Sequence, residues 1–135
     1  MNKPAYQEFL KSDETLRVYD DSTMVFSSKK EGLRALIEYI GMFAGDYRGV
    51  IILDKVAGNA AALLAIKAGC QELHSPLGSS LAVSTLNQYG IRHYFGNIVP
   101  YIQQQTGNDM CPMERLSINQ GPEEFYSTIK ARING

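Results

Sequence analysis

The stretch that decides the fold is residues 49–64, which read GVIILDKVAGNAAALL. Its uninterrupted apolar run ending at Leu53 is typical of a strand that is buried on both faces in a parallel sheet. The alanines and leucines after Asn59 favour a helix, predicted over residues 57–68, with a small-residue face suited to close packing. A strand that turns directly into a helix indicates an α/β fold.

The residues before this stretch predict two helices and an antiparallel hairpin. Apolar side chains at helical spacing over residues 31–44 indicate an amphipathic helix that covers one face of a sheet. The β-rich segments 15–19 and 23–27 flank Asp20-Asp21-Ser22, a composition that favours a turn. Pro4 fits the first turn of a short helix at the start of the chain.

The residues after it predict further alternation of strands and helices. Gly69 is expected to end the preceding helix in a left-handed conformation, and SPLGSS at 75–80 is expected to form a loop. Ser79 or Ser80 then caps a helix. Gly96-Asn97 is expected to join a second hairpin. The remaining predicted elements are a strand at 72–75, a helix at 81–89, extended segments at 91–95 and 98–102, and a helix beginning at Pro122.

Composition limits the class of protein. The chain has 135 residues, with 44% hydrophobic and 20% charged, which fits one domain over residues 1–135. The net charge of -1 argues against general nucleic-acid binding. Neither a signal peptide nor an apolar run long enough to span a membrane is recognisable, so we expect a cytoplasmic protein without membrane contact. Cys70 and Cys111 fit a reducing compartment.

The junction after the central strand carries the first candidate site. Ligands of open α/β sheets collect beyond the carboxyl ends of parallel strands. There Asp54 could orient a ribose hydroxyl or act as a base, and Lys55 could neutralise a phosphate. Gly58 would let the backbone approach a ligand or the sheet. Alternatively Asp54 caps the helix, Lys55 is solvated and Gly58 permits tight packing.

A second candidate segment is Cys111-Pro112-Met113-Glu114. Pro112 fits the first position of a helix, and Glu114 falls where a capping carboxylate would lie. Cys111 at a helix amino end would have a stabilised thiolate, which suits a nucleophile or a modification site. It could equally be a packed structural cysteine. Tyr101 and the amides that follow it could bind a base or a sugar, or form a polar surface loop.

Three segments together resemble the domain of unknown function 1893 family: DKVAGNAAALL at 54–64, VPYI at 99–102 and CPME at 111–114. The resemblance covers most of the chain. It implies a cytidine-deaminase-like fold, a three-layer α/β/α sandwich whose mixed sheet includes the amino-terminal antiparallel hairpin.

The resemblance also bears on zinc. Catalytic members of the wider deaminase superfamily hold zinc with His or Cys ligands at two helix starts, and a Glu moves protons. The corresponding segments here, SSKKE at 27–31 and DKVAGN at 54–59, contain no His or Cys. Glu31 alone cannot supply the chemistry, and Cys70 with His74 lacks a second ligand pair. We therefore expect no zinc, no other cofactor and no zinc-dependent deamination.

Beside thiol chemistry at Cys111, two functions remain open. The first is binding of a nucleotide or ADP-ribose-like ligand at the Asp54–Lys55–Gly58 junction, with Cys111 and Glu114 approaching the same pocket. The second is a non-enzymatic regulatory or interaction module that forms a homo-oligomer through a sheet edge or a helix face. The ligand-binding candidates are Asp54, Lys55, Gly58, Asn59 and Tyr101, and the catalytic candidates are Asp54, Lys55, Cys111 and Glu114.

Overall fold

A computed structural model describes residues 3–43 and 45–134. Its strands form one five-stranded sheet in the order β2-β1-β3-β4-β5. The strands are β1 Leu16–Asp20, β2 Thr23–Ser28, β3 Val50–Asp54, β4 Cys70–Ser79 and β5 Arg92–Val99. The helices are α1 Lys3–Lys11, α2 Arg34–Phe43, α3 Asn59–Lys67, α4 Ser80–Gln88, α5 Pro112–Ser117 and α6 Pro122–Asn134. None of these helices is long and apolar enough to cross a membrane.

The sheet is mixed, as the sequence predicts. β1 pairs antiparallel with both β2 and β3, while β4 and β5 run parallel to β3. The amino-terminal hairpin is therefore confirmed. The β1–β3 register sets Leu16 opposite Asp54. Thr15, the residue before β1, consequently lies beside the carboxyl end of β3.

Helices cover both faces of the sheet, which gives a three-layer α/β/α arrangement. Val50 and Ile52 face the larger apolar cluster, to which α2, α3, α4 and α6 contribute. Ile51 and Leu53 face the other way and pack with Phe9 of α1. Because both faces of β3 are covered, its side chains form the continuous apolar run seen in the sequence.

Helix α3 lies at the centre of the helical layer. Its residues from Asn59 to Ala65 are all buried, and it contacts α2, α4, α5 and α6. A helix that is apolar all round is expected in such a position. It begins at Asn59 rather than at the predicted Ala57, because Ala57 instead bridges to Gly78 of β4. Gly69 follows the helix with φ +82, as predicted.

The predicted loop at 75–80 is wrong, because β4 continues through it to Ser79. Pro76, which has no N–H group, falls between the last β3–β4 register pair, Leu53–His74, and the bridge of Ala57 to Gly78. Its missing donor therefore interrupts no register pair with β3. Ser79 caps α4, with its hydroxyl accepting the Ala82 N–H at 3.1 Å.

The second predicted hairpin is also wrong, because residues 92–99 form one strand. Its residues pair in parallel with β4 from Glu72–Arg92 to Ser79–Val99, across Gly96. A Cβ added to Gly96 would lie 3.1 Å from the Pro76 carbonyl oxygen. The glycine therefore permits close packing of neighbouring strands rather than a turn.

Candidate functional site

A cavity of about 310 Å³ lies at the carboxyl end of β3. Its walls come from the end of β3, the turn after it, the beginning of α3, the residues before α2 and the segment that leads into α5. The polar side chains at its surface are Thr15, Glu31, Asp54, Lys55, Gln105, Cys111 and Glu114. The apolar ones are Leu33, Val56, Ala60, Ala61, Ile102 and Met113.

The cavity brings together the two candidate segments of the sequence. Asp54, Lys55 and Gly58 line it from one side of the junction, and Cys111 and Glu114 line it from the other. Asn59 and Tyr101 are not among its lining residues. Gln105, one of the amides that follow Tyr101, lines the cavity, whereas sequence reasoning did not include Thr15 in the site. The antiparallel pairing of β1 with β3 was the signal that could have identified Thr15.

Asp54 ends β3, and its side chain is half-buried at the edge of the cavity. Burial raises the pKa of Asp54 to about 7, against the lowering effect of hydrogen bonds from the backbone of Val56 and Lys55. The Val56 N–H donates to Oδ1 at 3.3 Å. Asp54 does not cap α3, because residues 55–58 separate it from the helix. Its carboxyl group can both donate and accept hydrogen bonds near neutral pH.

The ammonium of Lys55 points towards α1. Nζ donates to the carbonyl oxygen of Ser12 at 2.7 Å and lies 4.8 Å from the centre of the Phe9 ring. These contacts hold the charge at the carboxyl end of α1, where a cation is favourable. Neutralisation of a phosphate by Lys55 stays a prediction without geometric support.

Glu114 caps α3 from a distant part of the chain. Its Oε1 accepts the Asn59 N–H at 2.5 Å, and its Oε2 accepts the Ile102 N–H at 2.9 Å. The expectation that Glu114 caps its own helix is therefore wrong. A buried carboxylate satisfies backbone donors of a different helix and of the segment before α5, so it builds the wall of the cavity.

Gly58 allows this contact. A Cβ at Gly58 would lie 2.7 Å from Oε1 of Glu114 and 2.7 Å from Cγ1 of Ile102. Its φ of -83° is open to any residue, so space rather than backbone conformation requires glycine here. The geometry supports the packing interpretation of Gly58.

The side chain of Asn59 turns away from the cavity. Nδ2 donates to Oγ of Ser117 at 3.0 Å and to its carbonyl oxygen at 3.2 Å, while Thr85 donates to Oδ1. Asn59 therefore links α3 to α4 and α5. The Tyr101 hydroxyl donates to the Asn108 carbonyl at 3.1 Å in an exposed position.

Cys111 is partly exposed and precedes the six-residue helix α5. Its N–H donates to the Ile102 carbonyl oxygen at 2.8 Å, which fixes the backbone at the cavity wall. Its side chain makes no capping hydrogen bond. Cys70, in contrast, is buried at the start of β4, and burial raises the pKa of its thiol to about 12.

In the part of the chain that the structure describes, no group of three or more His, Cys, Asp and Glu side chains could hold a metal ion. His74 instead accepts or donates a hydrogen bond with Glu72 at 3.0 Å and stacks on Tyr94. Residues 27–31 and 54–59 contain no His or Cys.

Comparison with known proteins identifies the family. Residues 5–133 match the family model TM1506, Domain of unknown function (DUF1893). The crystal structure of a DUF1893 family protein, TM1506 from Thermotoga maritima, superposes with a TM-score of 0.87 at 28% sequence identity, covering 98% of this chain and 92% of that chain. No curated protein matches. The chain belongs to the DUF1893 family.

Proposed function

We propose that the cavity at the carboxyl end of β3 binds a small uncharged molecule of the nucleoside type. The observation that carries the proposal is the partly desolvated carboxyl group of Asp54 at the surface of a cavity of about 310 Å³. Sites for small molecules combine apolar walls with a few polar groups, and in open α/β sheets they lie beyond the carboxyl ends of strands.

The chemistry of the walls supports a planar, polar-edged ligand. Leu33, Ile102 and Met113 offer apolar surface for a base. Asp54 can donate a hydrogen bond to a ribose hydroxyl or accept one from it. Thr15 and Gln105 supply further polar groups. The ligand would therefore lie with its base between the apolar walls and its sugar towards Asp54.

The charges favour a nucleoside over a nucleotide or ADP-ribose. The amino end of α3 is an anion site in principle, but the carboxylate of Glu114 already occupies it. The Lys55 ammonium donates a hydrogen bond to the Ser12 carbonyl oxygen, while the acidic side chains of Glu31 and Glu114 also line the cavity. A phosphate there would meet these acidic side chains, whereas the lining cation Lys55 is held by Ser12.

We further propose a cytidine-deaminase-like fold without zinc, in the cytoplasm. The order β2-β1-β3-β4-β5 and the antiparallel β1 support the fold assignment. The absence of His and Cys from residues 27–31 and 54–59 supports the lack of zinc, and the free thiols of Cys70 and Cys111 support a reducing compartment. The proposal assigns binding and no reaction.

The test is calorimetric titration with adenosine, guanosine, cytidine and uridine, each beside its 5′-monophosphate and beside ADP-ribose. We expect at least one nucleoside to bind, its monophosphate to bind more weakly, and Asp54→Ala to weaken binding by about tenfold or more, equivalent to the loss of a hydrogen bond to a charged or polar partner. Asp46→Ala, at an exposed position outside the cavity, is the matched control. Absence of nucleoside binding, or unchanged binding by folded Asp54→Ala, contradicts the proposal.

A further inference from the structure

The strand β5 forms a weakly protected edge of the sheet. It is the last strand in the order, and within the described residues nothing pairs with its outer side. It has eight residues, Arg92–Val99, with no proline, one charged residue at its start and no register shift against β4. Proteins usually protect such an edge with a short strand, a charge, a proline, a bulge or a cover.

The opposite edge differs. The strand β2 is shorter, its register with β1 shifts between Val18 and Tyr19, and Lys29 and Lys30 follow it directly. A register shift and nearby lysines both discourage pairing with another strand. The two edges of one sheet are therefore unequally protected.

The exposed edge also adjoins uncovered apolar surface. The side chain of Tyr94 stacks on His74 on the side of the sheet that carries α1, and Ile98 follows four residues later on the same face. Tyr94 is 51% exposed and Ile98 is 50% exposed. The buried contacts of α1 are with β1 and β3, and its Tyr6 ring lies 5.9 Å from that of His74, which still leaves Tyr94 and Ile98 half exposed.

We propose that β5 pairs antiparallel with β5 of a second copy about a two-fold axis through Gly96. With an axis normal to the sheet, the same face of both copies lies on one side, so each side chain lies opposite a side chain from the same face of the second copy. When the axis passes through Gly96, Tyr94 of each copy lies opposite Ile98 of the other. Aromatic and β-branched residues form favourable cross-strand pairs.

Apolar cross-strand pairs and the position of the charged residue favour the register centred on Gly96. The alternative centred on Phe95 would set Arg92 opposite Ile98 and Tyr94 opposite Gly96, which leaves both apolar side chains without an apolar partner. About Gly96, Arg92 is the only charged residue of the strand and faces Pro100 of the second copy, so no like charges meet. The pairing does not depend on the proposed nucleoside site, because no residue of β5 lines that cavity.

Light scattering after size-exclusion chromatography tests the interface. We expect the full chain to have twice the monomer mass, and Ile98→Lys to return it to the monomer. Met24→Lys is the matched control, since Met24 lies on β2 and is 47% exposed. We expect that variant to remain a dimer. A monomeric wild-type chain, a dimeric Ile98→Lys or a monomeric Met24→Lys overturns the proposal.

Disulfide cross-linking tests the register. In a Cys111→Ser background, the double variant Tyr94→Cys with Ile98→Cys should form covalent dimers on oxidation. Each single variant should not, because the same residue in the two copies would lie about 13 Å apart along the strands, too far for a disulfide. Cross-linking of a single variant as efficiently as the double one rejects the Gly96 register.

Discussion

The side chain of Glu114 caps the helix that begins at Asn59, although 55 positions separate the two residues. A helix usually takes its cap from the residue immediately before it. Gly58 occupies that position in α3 and offers no side chain. The segment that follows β5 therefore completes the amino end of α3, and the wall of the cavity is built at the same point.

Removing this carboxylate should cost considerable stability. In Glu114→Ala, the N–H groups of Asn59 and Ile102 lose their acceptor, and we expect the free energy of unfolding to fall by about 2–4 kcal/mol. Glu114→Gln keeps one acceptor oxygen and should lose less. Urea denaturation measures both. Asp46→Ala, at an exposed position, should change stability by less than about 0.5 kcal/mol. A Glu114→Ala variant as stable as Asp46→Ala would refute the capping role.

Two glycines should respond oppositely to the same substitution. Gly58→Ala places a Cβ 2.7 Å from Glu114 and Ile102, so we expect a loss of about 1–3 kcal/mol from overpacking. Gly41 lies within α2 with nothing inside 4 Å of an added Cβ. Gly41→Ala should therefore stabilise the protein by about 0.5–1 kcal/mol through helix propensity. Thermal unfolding of both variants provides the comparison, and a harmless Gly58→Ala would argue against the close contact.

Asp54 should make the folded state less stable at higher pH. The pKa of Asp54 is about 7 in the folded chain, against about 3.9 in an unfolded one. The folded state therefore holds a proton that the unfolded state releases between these values. This contribution is complete below about pH 4 and is lost as the pH rises through 7, on the order of 2–4 kcal/mol.

Asp54→Asn should remove this part of the pH dependence. Because other groups titrate in the same range, the useful quantity is the difference between variant and wild type in unfolding free energy at pH 5 and at pH 8. We expect the variant to gain relative stability at pH 8, whereas Asp46→Asn should follow the wild type. Equal pH slopes for wild type and Asp54→Asn would mean that Asp54 is well solvated.

The two cysteines should differ in reactivity. Cys70 is buried and its pKa is raised to about 12, whereas Cys111 is partly exposed at the cavity. A maleimide reagent should therefore label only Cys111 in the folded chain and both after denaturation, with mass spectrometry locating the label. A nucleoside that binds in the cavity should slow labelling of Cys111. Labelling of Cys70 under native conditions, or a bound nucleoside that leaves Cys111 equally reactive, would contradict this arrangement.

Local patterns predicted the central strand, the hairpin and the presence of α3, because these depend on nearby residues. The apolar composition of Val50–Leu53 and of the alanines of α3 by itself indicates buried elements. Residues 75–80 and Gly96-Asn97 were misread because their composition favours turns locally, while parallel pairing between β4 and β5 determines their conformation. Small and helix-breaking residues here serve close contact between strands.

The candidate site was only partly predictable for the same reason. Asp54 and Gly58 follow directly from their position after β3, and the structure brings Cys111 and Glu114 to the same cavity. The target of the Glu114 carboxylate and the direction of the Lys55 ammonium depend on contacts across the fold. Residue spacing contains no information about such partners.

The position of α3 among four other helices affects the order in which the chain can fold during synthesis. A nascent chain that ends at Val99 contains every strand of the sheet but lacks α5 and α6. The part of the α3 surface that α5 and α6 cover would then face water, and the Asn59 N–H would lack its carboxylate. The sheet can therefore be fully synthesised before its central helix is protected, and α5 and α6, which are synthesised after it, complete the core.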